Sequence, residues 1–405
     1  MAAATGADGV LDLDALGDLF TRDPYPVYAW LRERGTVHRV RIPEGTDAWL
    51  VLGHEAARAA LNDDRFSKSW AHASSDLGLE KLSSGTSMLV SDPPRHTRLR
   101  KLVAREFTAR RVEAMAPRVQ EMTDELLDAM LARADGRADL LDALAFPLPM
   151  SVICELLGVP FLDRDSFRGW TEAILTATPA TMGRAAAAKE SADAYLAALV
   201  ERRRDEPGDD LFSGLIRTTD EDGDTLSSAE LMGMAWLLLV AGHETTVHLI
   251  ANGVLALLTH PEQLAALRAD PSLIDNAVEE MLRFDGPVET PTYRFTLDPV
   301  EIDGTVIPGG GALVLPVLAD ADHDPARFPE PGRFDIRRET RGHVAFGHGI
   351  HFCLGAPLAR LEARTAIATL LDRAPNLALD THPDALTWRP GMLIRGPRRL
   401  PVRFA

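Results

Sequence analysis

The chain has 405 residues, about half of them apolar and a quarter charged, and a net charge of −17. That charge argues against nucleic acid as a partner. With only two cysteines, Cys154 and Cys353, there is no disulfide framework and no CxxC centre for zinc, iron–sulfur or dithiol chemistry. Residues 1–10 lack a basic segment and an apolar run, and stretches such as Met234–Ala241 are too short to span a bilayer. A cytoplasmic protein without a membrane anchor is expected.

Pro24–Arg34 predicts a short helix, Val37–Ile42 and Ala48–Val51 predict strands, and His54–Leu61 a helix. Ser67–Ser91 is rich in Ser, Gly and Leu without clean periodicity, as expected of a lid loop. Helical patterns follow at 94–106, 110–133, 140–158, 162–177 and 181–205. Ser227–Leu258 is the longest, and Ser227 with Glu230 predicts a capping box at its start. A helix over 271–284 precedes short strands between Thr290 and Leu318, a coil over 320–345 and a last helix, Leu354–Arg373. No repeat or linker divides the chain, so one mostly α domain with a minor β region is expected over 1–405, with 1–10 as a flexible tail.

Phe346 to Gly355 reads F-G-H-G-I-H-F-C-L-G. Gly347, Gly349 and Gly355 permit tight turns and close approach of backbone to a flat ligand. Cys353 ends this loop just before a helix, where free N–H groups and the helix dipole favour a thiolate. A haem thiolate needs both effects. A zinc site from His348, His351 and Cys353 lacks a fourth ligand at sensible spacing. Cys154, in the apolar segment Ser151–Leu157, reads as a small buried hydrophobe.

The long helix carries A-G-H-E-T-T at Ala241–Thr246. Gly242 inside a helix costs about 1 kcal/mol against Ala, so something should offset it. A Thr hydroxyl can bond the carbonyl one turn back and open a groove. Glu244 and Thr245 would then form an acid–alcohol pair able to relay protons. His243-Glu244 is no zinc-protease motif, because the second histidine, His248, lies five residues on and off the face. Glu280 and Arg283 share a helix face, as do His96 and Arg100.

The cysteine loop resembles the F-G-x-G-x-H-x-C-x-G signature of the cytochrome P-450 superfamily, and the helix motif resembles its A-G-x-[DE]-T. The similarity covers nearly the whole chain. Stretches such as S-D-P-P-R-H-T-R-L-R-K-L-V-A-R-E-F at 91–107 resemble bacterial soluble forms, in particular actinobacterial macrolide and polyketide hydroxylases of the pikromycin-hydroxylase kind. The resemblance implies haem b held between the long central helix and the cysteine-loop helix, with O2 as co-substrate. Cys353 would be the axial ligand, with Phe346 shielding the sulfur and Gly347, Gly355 and Ala241 against the haem. His96, Arg100, Arg294 and His351 would hold the propionates, and Glu280, Arg283 and Arg333 would form a bracing ion network. Thr245 would serve oxygen activation and Glu244 proton delivery. Electrons from NAD(P)H would arrive through a ferredoxin and its reductase. A haem- or zinc-binding protein without turnover is the rival.

The expected substrate is a hydrophobic small molecule, hydroxylated or epoxidised. Its candidate pocket residues are Met88, Leu89, Val90, Val240, Ala241, Val288, Leu393 and Ile394. Lys81 and Val90 stand where a basic amino sugar would favour acids, which speaks against a glycosylated macrolide. A basic island of Arg95, Arg98, Lys101, Arg105, Arg110 and Arg111, with Arg360 and Arg364, is the expected docking face for an acidic ferredoxin. The chain is expected to be a monomer.

Overall fold

A computed structural model describes residues 4, 9–77, 86–105, 107–159, 164–175, 181–208, 210–218 and 223–405. Lys81 and the centre of the expected lid loop therefore lie outside the described residues. Around that loop, Trp70–His72, Ser75–Leu77 and Met88–Val90 form short turns of 3-10 helix.

The β region is small, and its main part is one six-stranded sheet. Strands β1 (Leu11–Asp12), β2 (Val37–Arg41), β3 (Asp47–Val51), β4 (Phe66–Ser67), β5 (Arg294–Thr296) and β6 (Leu313–Pro316) form one sheet in the order β1-β2-β3-β6-β5-β4. The β2–β3 hairpin pairs Val37 with Val51, and β6 runs parallel to β3. Arg294 lies opposite Val314, and Ser67 at the sheet edge opposite Phe295. This register brings Lys68, just after β4, beside the residues that lead into Arg294.

Helices build the rest. The principal ones are α1 (Arg95–Ala104), α2 (Pro147–Leu157), α3 (Met182–Asp205), α4 (Ser228–Thr259), α5 (Ile274–Asp285) and α6 (Ala356–Arg373). The expected capping box starts α4: Ser227 accepts from the Glu230 N–H, and Glu230 accepts from the Ser227 N–H. By length and composition α4 would cross a membrane, but 67% of its most apolar stretch is buried inside the protein. It is a core helix.

Two expected helices are interrupted. The pattern at 110–133 splits into Ala109–Ala114 and Ala116–Leu131, with Pro117 in the first turn of the second. The pattern at 140–158 begins as a π-turn, Leu141–Ala145, because Pro147 and Pro149 can only open a new helix. Gly158, at φ 69°, closes α2 in the left-handed conformation.

The interior of α4 joins two apolar clusters. Val247 to Leu257 pack with Ile367, Leu370 and Met281, and Leu231 to Leu239 pack with Ile153, Leu196 and Phe212. Gly242 stands between these halves. A Cβ there would lie 2.8 Å from Ile153 Cδ1, so close packing against α2 offsets the helix cost of the glycine.

Candidate active site

The cysteine loop is folded by its own backbone. The Cys353 N–H donates to Phe346 O at 2.9 Å, and the Gly347 N–H to Val344 O at 2.7 Å. Gly347 and Gly349 adopt φ of 75° and 74°, and a Cβ on Gly349 would meet Asn62 Oδ1 at 2.7 Å. Gly355 N-caps α6, and a Cβ there would meet Cys353 Sγ at 3.9 Å. Burial pushes the Cys353 thiol up; the N–H groups of Gly355 and Ala356, with Arg100 and Arg360, work against it. Phe346 lies beside the sulfur loop with the Arg360 guanidinium 4.5 Å over its ring.

Cys353 faces a cavity of about 950 Å3 whose opposite wall is α4. There Val240, Ala241, Glu244 and Thr245 line it. The Thr245 hydroxyl donates to Ala241 O at 2.9 Å, the bond to the previous turn that the motif predicts. Glu244 is engaged elsewhere. Its Oε1 is 3.4 Å from His243 Nε2 and its Oε2 is 3.6 Å from Arg389 Nη1. Burial would raise this carboxyl, but the His243 hydrogen bond and charge, and then Arg389, hold it at about 2. Glu244 is therefore an ionised, paired carboxylate in this state. Arg389, from the C-terminal loops, went unnoticed in the sequence because nothing local ties it to α4.

His96, Arg100, Arg294 and His351 line the same cavity. The rings of His96 and His351 are 4.2 Å apart, and Arg100 donates to Phe352 O at 2.7 Å. Both ring nitrogens of His96 and the Nη1 of Arg294 are buried without a partner among the described residues. Such orphaned polar atoms lining one cavity with a cysteine fit haem, whose two carboxylates would satisfy them. Burial pulls His96 below its ordinary range and Arg294 to about 10.

Beneath the loop, Glu280 and Arg283 are fully buried and pair at 2.7 and 2.9 Å. Arg283 also donates to Asp322 O and Pro331 O, both at 2.9 Å. The third member is a correction to the sequence reading. The Arg333 side chain is 59% exposed and reaches only Glu330 and Asp335, at 3.5 Å each. Arg338 takes the place, with its Nε 3.2 Å from Glu280 Oε1. Arg333 offers only its carbonyl, because the coil turns its side chain outward.

Met88, Leu89, Val90, Val288, Leu393 and Ile394 reach the cavity as well. Val288 pairs with Ile394 in an isolated antiparallel bridge, which ties these two wall segments together. Sequence reading missed Trp236 and Leu237 on α4 and the Lys189–Asp193 pair at the α3 end. It also missed Glu362 on α6, whose buried Oε2 has no partner among the described residues and whose carboxyl burial raises well above the ordinary range.

The basic island is partly consumed. Arg98 binds Asp224 and Glu230 at the start of α4, Arg360 binds Glu279 at 2.5 Å, and Arg364 approaches Asp275 at 3.5 Å. Arg98 is thus a tether between α1 and α4.

The Cytochrome P450 family model matches residues 18–384. The chain is 60% identical over 400 residues to the cytochrome P450 monooxygenase PikC of Streptomyces venezuelae, covering 99% of this chain and 95% of that protein. It is 47% identical over 402 residues to the 6-deoxyerythronolide B hydroxylase of Saccharopolyspora erythraea, covering 96% and 98%. Among solved structures, myxobacterial CYP267B1 in complex with myristic acid matches at TM-score 0.92 and 41% identity, over 97% of this chain and 99% of that one. The tirandamycin C-bound monooxygenase TamI matches at TM-score 0.88 and 44% identity, over 96% and 99%. A cysteine loop and a threonine-bearing core helix facing each other across a cation-rimmed cavity thus belong to a member of the cytochrome P450 family, a haem-dependent monooxygenase.

Proposed function

We propose that this chain hydroxylates or epoxidises a neutral, polyketide-sized molecule of the macrolactone kind. The observation that carries this is the cavity itself, apolar at Leu89, Val90, Trp236, Leu237, Val240, Val288 and Ile394 above Cys353. The names of the relatives, a 6-deoxyerythronolide B hydroxylase and a mycinamicin IV hydroxylase/epoxidase among them, support the class. An amino-sugar substrate is disfavoured, because Asp193 already holds Lys189 at 2.5 Å and Val90 offers no charge.

In this reading Cys353 ligates the haem iron, and His96, Arg100, Arg294 and His351 hold the propionates. The bound haem supplies oxygen activation, using two electrons delivered from outside the chain. Thr245 spends its proton on Ala241 O, so its oxygen accepts a hydrogen bond from a water in the cavity. Glu244, held ionised by His243 and Arg389, serves the proton-delivery route as an acceptor of hydrogen bonds from water entering the cavity. A ferredoxin, itself reduced by its reductase, docks on the cysteine side over Lys101, Arg105 and Arg110, and the protein works as a monomer in the cytoplasm.

The cheapest test is spectral. The reduced carbonyl complex should show the strongly red-shifted Soret band of a thiolate ligand, and Cys353→Ser should abolish it; an unshifted band in haem-loaded wild type would overturn the reading. A titration screen should then find spin-state shifts with neutral macrolactones at lower concentration than with amino-sugar macrolides, and the reverse order would overturn the substrate class.

A further inference from the structure

Lys68 is only 3% exposed, a rare state for a lysine unless it is paired. Its Nζ donates to Thr292 O at 2.5 Å, to Thr292 Oγ1 at 2.5 Å and to Tyr293 O at 2.9 Å. All three N–H bonds therefore go to uncharged oxygens, and no carboxylate contacts the ammonium among the described residues. These bonds also clamp the two residues that precede Arg294. Lys68 lines the same cavity as Arg100, Arg294, His96 and His351.

The charges do not balance without a ligand. Arg100 and Arg294 are permanent cations lining the cavity, and Lys68, when protonated, adds a third. The carboxylate whose charge acts on Lys68, Arg294 and His96 alike is Asp92. Asp92 accepts from the Lys68 backbone N–H at 2.8 Å and from the Ser67 hydroxyl. Burial and the Arg294 charge both pull the Lys68 ammonium down, and Asp92 opposes them. A buried ammonium in that position needs further negative charge to stay ionised.

We propose that Lys68 is an additional haem-anchoring residue, the cation that lets Lys68, Arg100 and Arg294 together balance two propionates and Asp92. It acts through charge, and through its clamp on the strand that presents Arg294, without spending an N–H on the propionate. The inference rests on haem filling this cavity, which the Soret spectrum of each variant reports separately.

The test is a charge cycle on the haem-loaded enzyme: Lys68→Met, Asp92→Asn, the double variant, and Lys68→Arg. Haem transfer to excess apomyoglobin and the ferric/ferrous potential are measured. Lys68→Met should lose haem about tenfold faster, since one buried charge is left uncompensated. It should also lower the potential by about tenfold in the equilibrium constant, ~59 mV for one electron. Asp92→Asn should raise the potential, Lys68→Arg should stay near wild type, and the double variant should recover both readouts to within about threefold. Wild-type haem loss and potential in Lys68→Met would overturn the proposal, as would a double variant no better than Lys68→Met. Should Lys68→Met fail to load haem, Asp92→Asn decides: a raised potential supports the charge balance, and an unchanged one overturns it.

Discussion

Below the cavity, Glu280 is wholly buried yet accepts from Arg283, Arg338 and the Asp335 amide. Above it, Thr245 makes a single bond to its own helix, and the neighbouring wall is apolar at Trp236, Leu237, Leu238 and Val240. On the cysteine side Glu280, Arg283 and Arg338 form a largely buried polar network, paired with one another and with backbone groups. The α4 side is held mainly by packing, with ties at its start, where Thr86 donates to Ala229 O at 2.6 Å and Arg98 binds Glu230 at 2.8 Å, and one at the cavity, where Glu244 approaches His243 and Arg389. A network fixes one geometry and is costly to break anywhere, whereas apolar packing leaves a surface that can be reshaped residue by residue. One wall is suited to holding a cofactor and the other to choosing a substrate.

The contrast can be broken first at Glu280. Glu280→Ala leaves Arg283 charged and buried, and should cost ~3–5 kcal/mol in chemical denaturation along with most haem incorporation. Arg333→Ala should stay within ~0.5 kcal/mol, whereas Arg338→Ala should fall between; a large Arg333 effect would restore the motif-based assignment. On the packed side, Gly242→Val pushes against Ile153 and should cost ~1–3 kcal/mol in the same assay. Thr245→Ala should leave stability nearly intact while, if Thr245 has the proposed role in oxygen activation, product formed per NADPH falls about tenfold. Unchanged coupling would remove Thr245 from the chemistry.

The smallest effect is expected at Arg389. Glu244 sits at about 2, below its ordinary 4.5. A depressed carboxyl adds stability that is fully present above its unfolded value and is lost as pH falls towards the folded one. Arg389→Gln should raise the Glu244 carboxyl, cost ~1 kcal/mol or less at neutral pH, and shift acid unfolding to higher pH. An acid transition identical to wild type would show that His243 alone governs Glu244.

Local sequence determined much of this protein. Helix starts such as the Ser227–Glu230 box, strands such as Val37–Arg41 and the turns of the cysteine loop arise from neighbours within a few residues, so pattern alone reveals them. The motif around Cys353 is legible for the same reason: glycine φ, helix N-terminus and thiol are contiguous. Even Pro117 and Pro147 mark where the helical patterns break. Tertiary structure alone decided which distant charges meet. Arg338 rather than Arg333 reaches Glu280 because the coil between them turns one guanidinium inward and the other out. Arg389 finds Glu244, and Lys68 arrives beside Arg294 by sheet register across more than two hundred residues. Such pairings carry no periodicity and no local propensity, since the energy that selects them is released only when burial removes the water that would otherwise satisfy each charge.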